Sequence, residues 1–113
     1  MQIKGRDVTE GMSRSIVIGS DEIYVAISDA LQRIVRAIRE TLENTPPELS
    51  SDIFERGMVV AGGGALLRDM DRRLMHETGL PVVVAENPLT CVARGCGRAL
   101  EEISVLGDVF ASE

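Results

Sequence analysis

Aromatic side chains are scarce: among 113 residues only Tyr24, Phe54 and Phe110 carry a ring, and tryptophan is missing. Positive charge is short as well, with 12 Lys and Arg against 18 Asp and Glu and a net charge of −6. Nucleic-acid binding draws on cations that neutralise phosphate and on aromatic faces that stack with bases. A chain poor in both is not expected to bind nucleic acid. Histidine occurs once, at His76, and cysteine twice, at Cys91 and Cys96. The spacing of the thiols is neither a disulfide framework nor a zinc pattern, so a reduced, cytoplasmic setting is expected. Long apolar runs are also lacking. Met1-Gln2-Ile3-Lys4-Gly5-Arg6 has no apolar stretch of a secretion signal, and runs such as Pro81 to Ala85 fall far below the ~20 residues of a membrane-spanning helix. A soluble chain without direct membrane insertion is expected.

What is present suits one small mixed domain. Apolar residues make up 44% and charged residues 27%, an ordinary globular balance, and a chain near this length buries roughly two-thirds of its unfolded surface. No internal repeat or low-complexity segment occurs. Residues 1–19 are punctuated by Gly5, Gly11 and Gly19 around the β-prone Ser13 to Ile18, which predicts strand, turn and strand. Ser20 suits an N-cap, Asp21 and Glu22 complement a helix dipole, and Ile23, Ile27, Ala30, Leu31, Ile34, Ile38 and Leu42 recur every three or four residues. A long amphipathic helix over 20–44 follows, stopped before Pro46. Pro47-Glu48-Leu49 opens a shorter helix that runs to Arg56 and closes at Gly57.

The second half alternates strands and helices. Met58 to Ala61 is a continuous apolar run broken by Gly62-Gly63-Gly64, and Ala65 to Thr78 carries Leu66, Leu67, Met70 and Leu74 on one predicted helical face. After Gly79, Pro81 admits a second apolar strand, Val82 to Ala85. Buried strand, helix and buried strand over 58–85 form a βαβ pattern, for which a right-handed crossover is expected. Asn87 as N-cap and Pro88 at the first helical position begin a last helix, to about Ile103. Gly95 and Gly97 each cost this helix about 1 kcal/mol relative to alanine. Something, a strand or a ligand, is therefore expected to approach that backbone closely. Ser104 to Glu113 shows no pattern and is expected to fray.

One local motif points to chemistry. Three glycines between a buried strand and a helix let a ligand reach the backbone, and a helix start offers unpaired N–H groups with partial positive charge. The turn nevertheless lacks the third glycine of the dinucleotide fingerprint, where Leu67 stands, and the Gly-Lys-Ser/Thr of a P-loop. Pattern alone leaves a tight structural turn and a ligand site equally open. His76, beside Glu77 and without a second ligand at metal spacing, reads as a surface residue at a helix C-terminus. Cys91 and Cys96 read as small packing residues of a helix. Arg33, Arg36 and Arg39 form a stripe on the polar face of the long helix, with Asp29 and Glu43 as partners. No nucleophile and base can be paired.

The order of segments carries more information. Gly5-Arg6-Asp7, Ser20-Asp21-Glu22-Ile23, Pro46-Pro47-Glu48-Leu49-Ser50-Ser51-Asp52-Ile53, Gly62-Gly63-Gly64-Ala65-Leu66-Leu67-Arg68 and Pro81-Val82-Val83-Val84-Ala85-Glu86-Asn87-Pro88-Leu89-Thr90-Cys91-Val92-Ala93 resemble the C-terminal third of the MreB family. These are bacterial actin-like proteins that determine rod shape, and the resemblance covers nearly the whole chain. It implies an α/β chain forming the C-terminal part of an actin-like ATPase fold: a ribonuclease-H-like subdomain with the parallel βαβ unit and flanking helices, plus a short N-terminal β-hairpin. Residues 1–19 would belong to the smaller outer subdomain, 20–107 to the nucleotide-side subdomain, and 108–113 to a tail.

The resemblance also implies roles. Gly62, Gly63, Gly64 and Ala65 would lie against the adenine and ribose side of ATP, which the full-length family binds with magnesium. The helix after Asn87-Pro88 would close the back of this subdomain, which gives Gly95 and Gly97 a packing role. Gly95-Cys96-Gly97 departs from the family's more usual Gly-Thr-Gly or Gly-Gly-Gly, where a small thiol should fit. The phosphate-binding hairpins, the water-positioning acidic residue and the membrane-inserting segments belong to the family's other two-thirds. The chain alone is therefore expected to be no enzyme, with no catalytic or metal-binding residue, and to bind ATP weakly or not at all. Implied partners are other MreB-like subunits in a filament and, through the full-length protein, the shape-determining membrane machinery. Implied localisation is cytoplasmic, membrane-associated as filaments. An alternative is a structural or interaction module that binds no nucleotide and acts through subunit contacts. An independent small nucleotide-binding enzyme is disfavoured because no residue set for phosphate chemistry can be named.

Overall fold

Asp7 organises the first element. The structure, a computed structural model, describes residues 1–111. Strands β1 (Gln2–Arg6) and β2 (Ser13–Val17) pair antiparallel, with Gln2 opposite Val17 and Arg6 opposite Ser13. In the connecting turn the Asp7 carboxylate accepts the backbone N–H of Thr9 at 2.9 Å and of Glu10 at 3.1 Å, and its other oxygen meets Arg14 at 3.3 Å. Hydrogen bonds from Glu10 and Thr9, with Arg14 adding to them, hold its pKa below the ordinary 3.8. The expected strand, turn and strand is thus a hairpin.

Helix α1 (Ser20–Glu43) follows. Its first bond runs from the N–H of Ile23 to the carbonyl of Gly19, and the Glu22 side chain accepts the Gly19 N–H at 2.8 Å. Gly19, rather than the expected Ser20, therefore takes the cap, because the glutamate three residues on can satisfy that N–H. Leu31 and Val35 are buried, while Ile23 and Ile34 of the predicted stripe stay exposed. The chain divides into two compact units, Met1–Glu40 and Thr41–Glu113.

In the second unit α2 (Pro47–Arg56) starts with Pro47 in its first turn and ends at Gly57, whose φ is +80°. A side chain there would strike the Pro81 carbonyl, and the next N–H, of Met58, donates to that carbonyl at 2.8 Å. Glycine is required twice over, by conformation and by this close approach. Strand β3 (Met58–Val60) pairs parallel with β4 (Val82–Val84), in the register Met58–Val82, Val59–Val83 and Val60–Val84. Between them α3 (Met70–Thr78) packs against β4. Met70, Leu74, Leu80, Val82 and Ala65 form the buried core of this unit, so the expected βαβ unit is present. Its strands are not buried on both faces, however: Val59 and Val83, side by side in register, are 70% and 61% exposed.

Five further expectations need correction. The helix expected over 65–78 is broken: one 3-10 turn, Gly63–Leu66, gives way to extended backbone at Leu67 and a left-handed Asp69 before α3 begins. Met70 and Leu74 go into the core and Leu66 and Leu67 to the surface, which a continuous helix with one apolar face could not do. Asn87 is left-handed, at φ 49°, and leads into a 3-10 turn, Pro88–Thr90; α4 (Cys91–Glu101) starts only at Cys91. Residues expected to fray instead form α5 (Ile103–Phe110), whereas 112–113 of the expected tail lie outside the described residues. Cys96 is exposed and Cys91 half-buried, not packed in a core. Around Gly95 and Gly97, apart from their chain neighbours and the helix's own nearby backbone, no atom of the described residues lies within 4 Å of where a Cβ would sit, so the expected close approach is not made by these residues.

Candidate functional site

Ligands of open α/β sheets bind at the carboxyl ends of parallel strands. Here those ends carry two loops, 61–69 after β3 and 85–90 after β4, and hydrogen bonds tie them together. Ala85 donates its N–H to the Val60 carbonyl at 2.9 Å, and Gly62 donates to the Pro88 carbonyl at 2.8 Å. Gly62 has φ 85° and ψ 175°, a region essentially confined to glycine. A Cβ on Gly63 would come to 3.4 Å from Leu89 Cδ2, while over Gly64 nothing lies within 4 Å. The non-glycine residues with positive φ, Asp69 and Asn87, fall in the same two loops. Asp and Asn tolerate this conformation best among residues with a Cβ.

The sequence-derived site residues are therefore contiguous but unlike one another. Gly63 and Gly64 are exposed and Gly62 is half-buried. Ala65 is 4% exposed, so its methyl is part of the core. The first bond of the 3-10 turn runs from the Ala65 N–H to the Gly62 carbonyl at 3.2 Å. The N–H groups of Gly63 and Gly64 precede it and have no partner within the turn. Since the turn does not open directly into a long helix, the helix-dipole part of the sequence argument falls away, and what remains is bare, reachable peptide.

Arg94 is a residue that sequence reasoning missed. From α4 its Nη2 donates to the Glu86 carbonyl at 2.8 Å and its Nε to Thr90 Oγ1 at 3.1 Å, which fixes the second loop against its own helix. The only available signal was the spacing of four between Thr90 and Arg94. Cys91 Sγ, 3.7 Å from the same guanidinium, donates to the carbonyls of Glu86 and Asn87 at 3.6 and 3.5 Å. His76 is exposed in the last turn of α3, and Arg33 pairs with Asp29 at 3.2 Å on the solvent face of α1. Among the described residues no helix is long and apolar enough to cross a membrane.

Comparison with known proteins accounts for this arrangement. The family model described as MreB/Mbl protein matches residues 1–108. The cell shape-determining protein MreB of Escherichia coli K12 is 56% identical over the whole chain, and Mbl of Bacillus subtilis is 45% identical over 94% of it. The chain spans about a third of these relatives, 33% and 32% of their lengths. Among solved structures, MreB5 of Spiroplasma citri bound to ADP superposes with a TM-score of 0.84 at 37% identity, over 99% of this chain and 33% of its own. The same protein bound to AMPPNP gives 0.84 at 38% identity, over 96% of this chain and 32% of its own. A family match over residues 1–108, together with 56% identity to MreB over the whole chain, means that the chain belongs to the MreB/Mbl family of actin-like, cell shape-determining proteins.

Proposed function

We propose that this chain forms the nucleoside-side portion of an actin-like, ATP-binding filament protein that determines rod shape by organising cell-wall synthesis. The observation that carries this is the glycine turn at the carboxyl ends of β3 and β4, in a fold shared with MreB5 bound to ADP and to AMPPNP. A planar base or a ribose can approach peptide at Gly63 and Gly64 because neither has a side chain and nothing of the described residues crowds Gly64. Gly62 gives the turn its conformation and Ala65 anchors it from the core side. ATP, with its magnesium, would bring a hydrolysable phosphoanhydride. This chain's part is to hold the nucleoside end. Residues 1–19 then belong to the smaller outer subdomain and 20–107 to the nucleotide-side one, with other MreB-like subunits and the shape-determining membrane machinery as partners of the full-length protein.

The test places the chain as the C-terminal third of a full-length MreB. Gly64→Val and Gly63→Val should each weaken ATP more than tenfold, over ~1.4 kcal/mol. Unchanged affinity in a folded variant would refute the assignment. The alternative, a module that binds no nucleotide and acts through subunit contacts, predicts unchanged ATP affinity for both variants in that full-length context.

A further inference from the structure

The glycine turn does not hold its own shape. Consecutive glycines have more backbone freedom to lose than any other residues. The bonds that the turn makes within itself, from the N–H groups of Ala65 and Leu67, are both 3.2 Å long, at the far end of the usual range. A shorter bond comes from the neighbouring loop, where the Pro88 carbonyl accepts the Gly62 N–H at 2.8 Å. Leu89 Cδ2 flanks the next residue, 3.4 Å from where a Cβ on Gly63 would sit. The geometry at Gly62 and Gly63 therefore depends on where Pro88 and Leu89 stand.

Those two residues lie between two held points. Before them Asn87 is left-handed, at φ 49°, a conformation that costs any residue with a Cβ. After them the Thr90 N–H and hydroxyl donate to the Asn87 carbonyl at 3.1 and 3.2 Å, which are neutral bonds between near neighbours. Arg94 adds a charged donor from the first turn of α4. Its Nη2 reaches the Glu86 carbonyl at 2.8 Å and the Asn87 carbonyl at 3.5 Å, while its Nε meets Thr90 Oγ1 at 3.1 Å. Charge-assisted bonds are about twice as strong as neutral ones, and the guanidinium is a rigid planar fork. One side chain thus spans the loop from residue 86 to residue 90, with Pro88 and Leu89 between its contacts.

We propose that Arg94 is a positioning residue for the nucleotide. By holding Glu86 and Thr90 it keeps Pro88 and Leu89 where they fix Gly62 and Gly63, and it tunes ATP affinity without touching the ligand. This role rests on the nucleotide reading of the glycine turn given above. Arg98, one turn further along the same helix, pairs instead with Glu102 at 3.8 Å and has no part in this chain of contacts.

The experiment places the chain as the C-terminal third of full-length E. coli MreB and compares Arg94→Ala, Arg98→Ala and Gly63→Val with the parent, circular dichroism verifying that each folds. Without nucleotide, Arg94→Ala should speed amide hydrogen exchange about tenfold in segments 61–67 and 85–90, read by mass spectrometry, and leave α3 at the parent rate. Its ATP affinity should fall about three- to tenfold, less than for Gly63→Val, because Arg94 is exposed and water replaces part of each lost bond. Arg98→Ala should change neither reading. Parent-like exchange in Arg94→Ala would overturn the proposal. So would faster exchange in α3 as well, which marks a general loss of stability, or an equal effect of Arg98→Ala. ATP affinity that Gly63→Val weakens and Arg94→Ala leaves intact would overturn it too. If neither variant alters ATP affinity, the nucleotide reading itself fails, and the positioning role falls with it even where exchange is faster.

Discussion

Glycines that look alike in sequence have opposite duties. Gly57 combines a positive φ with a backbone carbonyl where its Cβ would sit. Gly57→Ala should destabilise the chain by about 2–4 kcal/mol, from left-handed strain and overpacking together, read from the urea midpoint. Gly97 has helical backbone and open surroundings. Gly97→Ala should therefore stabilise the 113-residue chain by about 0.5–1 kcal/mol. A loss of stability there would show that something of this chain does approach the helix. Gly57 was legible as a helix end from its position before an apolar run. The reason it must be glycine, Pro81 arriving from 24 residues away in sequence, was not.

Among elements, the hairpin offers a pH test with a defined sign. The pKa of Asp7 is lowered from 3.8 by the Glu10 and Thr9 hydrogen bonds and by Arg14. Its contribution to the turn is present above 3.8 and is lost as pH falls through the lowered folded value. The amide resonances of Thr9 and Glu10 should move together on acidification, with a midpoint below 3.8. Asp7→Asn, which still accepts through its amide oxygen but cannot titrate, should flatten that response. A midpoint at or above the ordinary value would contradict the hydrogen-bonded turn. The interruption before α3 is equally testable. Asp69 sits at φ 58°, so Asp69→Gly should be close to neutral and Asp69→Val should cost about 1–2 kcal/mol.

For the whole molecule, the core is small and the exposed apolar surface large. Leu74 is 2% exposed at the centre of the second unit. Leu74→Ala should cost about 2–5 kcal/mol, a large share of the ~5–15 kcal/mol that usually separates folded from unfolded chains, read from the urea midpoint. Val25, Val59, Val83, Val92 and Phe110 are all exposed, so the isolated chain should enhance the fluorescence of a hydrophobic dye. A compact monomer without such binding would contradict the open valine face. Phosphate release from ATP by the 113-residue chain alone, above a Gly63→Val control, is not expected. Finding it would relocate the chemistry into this third of the fold.

Sequence by itself determined the order and kind of most elements: the hairpin from its glycines, α1 from apolar spacing, α2 from Pro47 and Gly57, and β3 and β4 from valine runs. These depend on near neighbours along the chain, and so did the family, through blocks such as Pro46 to Ile53 and Gly62 to Arg68. Only the tertiary structure decided where helices began and broke. A core needing Ala65, Met70 and Leu74 together outweighs a helical stripe through Leu66 and Leu67, and the bond from Gly62 to Pro88 joins loops that are far apart in sequence. Tertiary structure also decided which valines are covered, because burial belongs to a face and not to a residue. In this chain one face of the sheet has α3 against it and the other has Val59 and Val83 in the open.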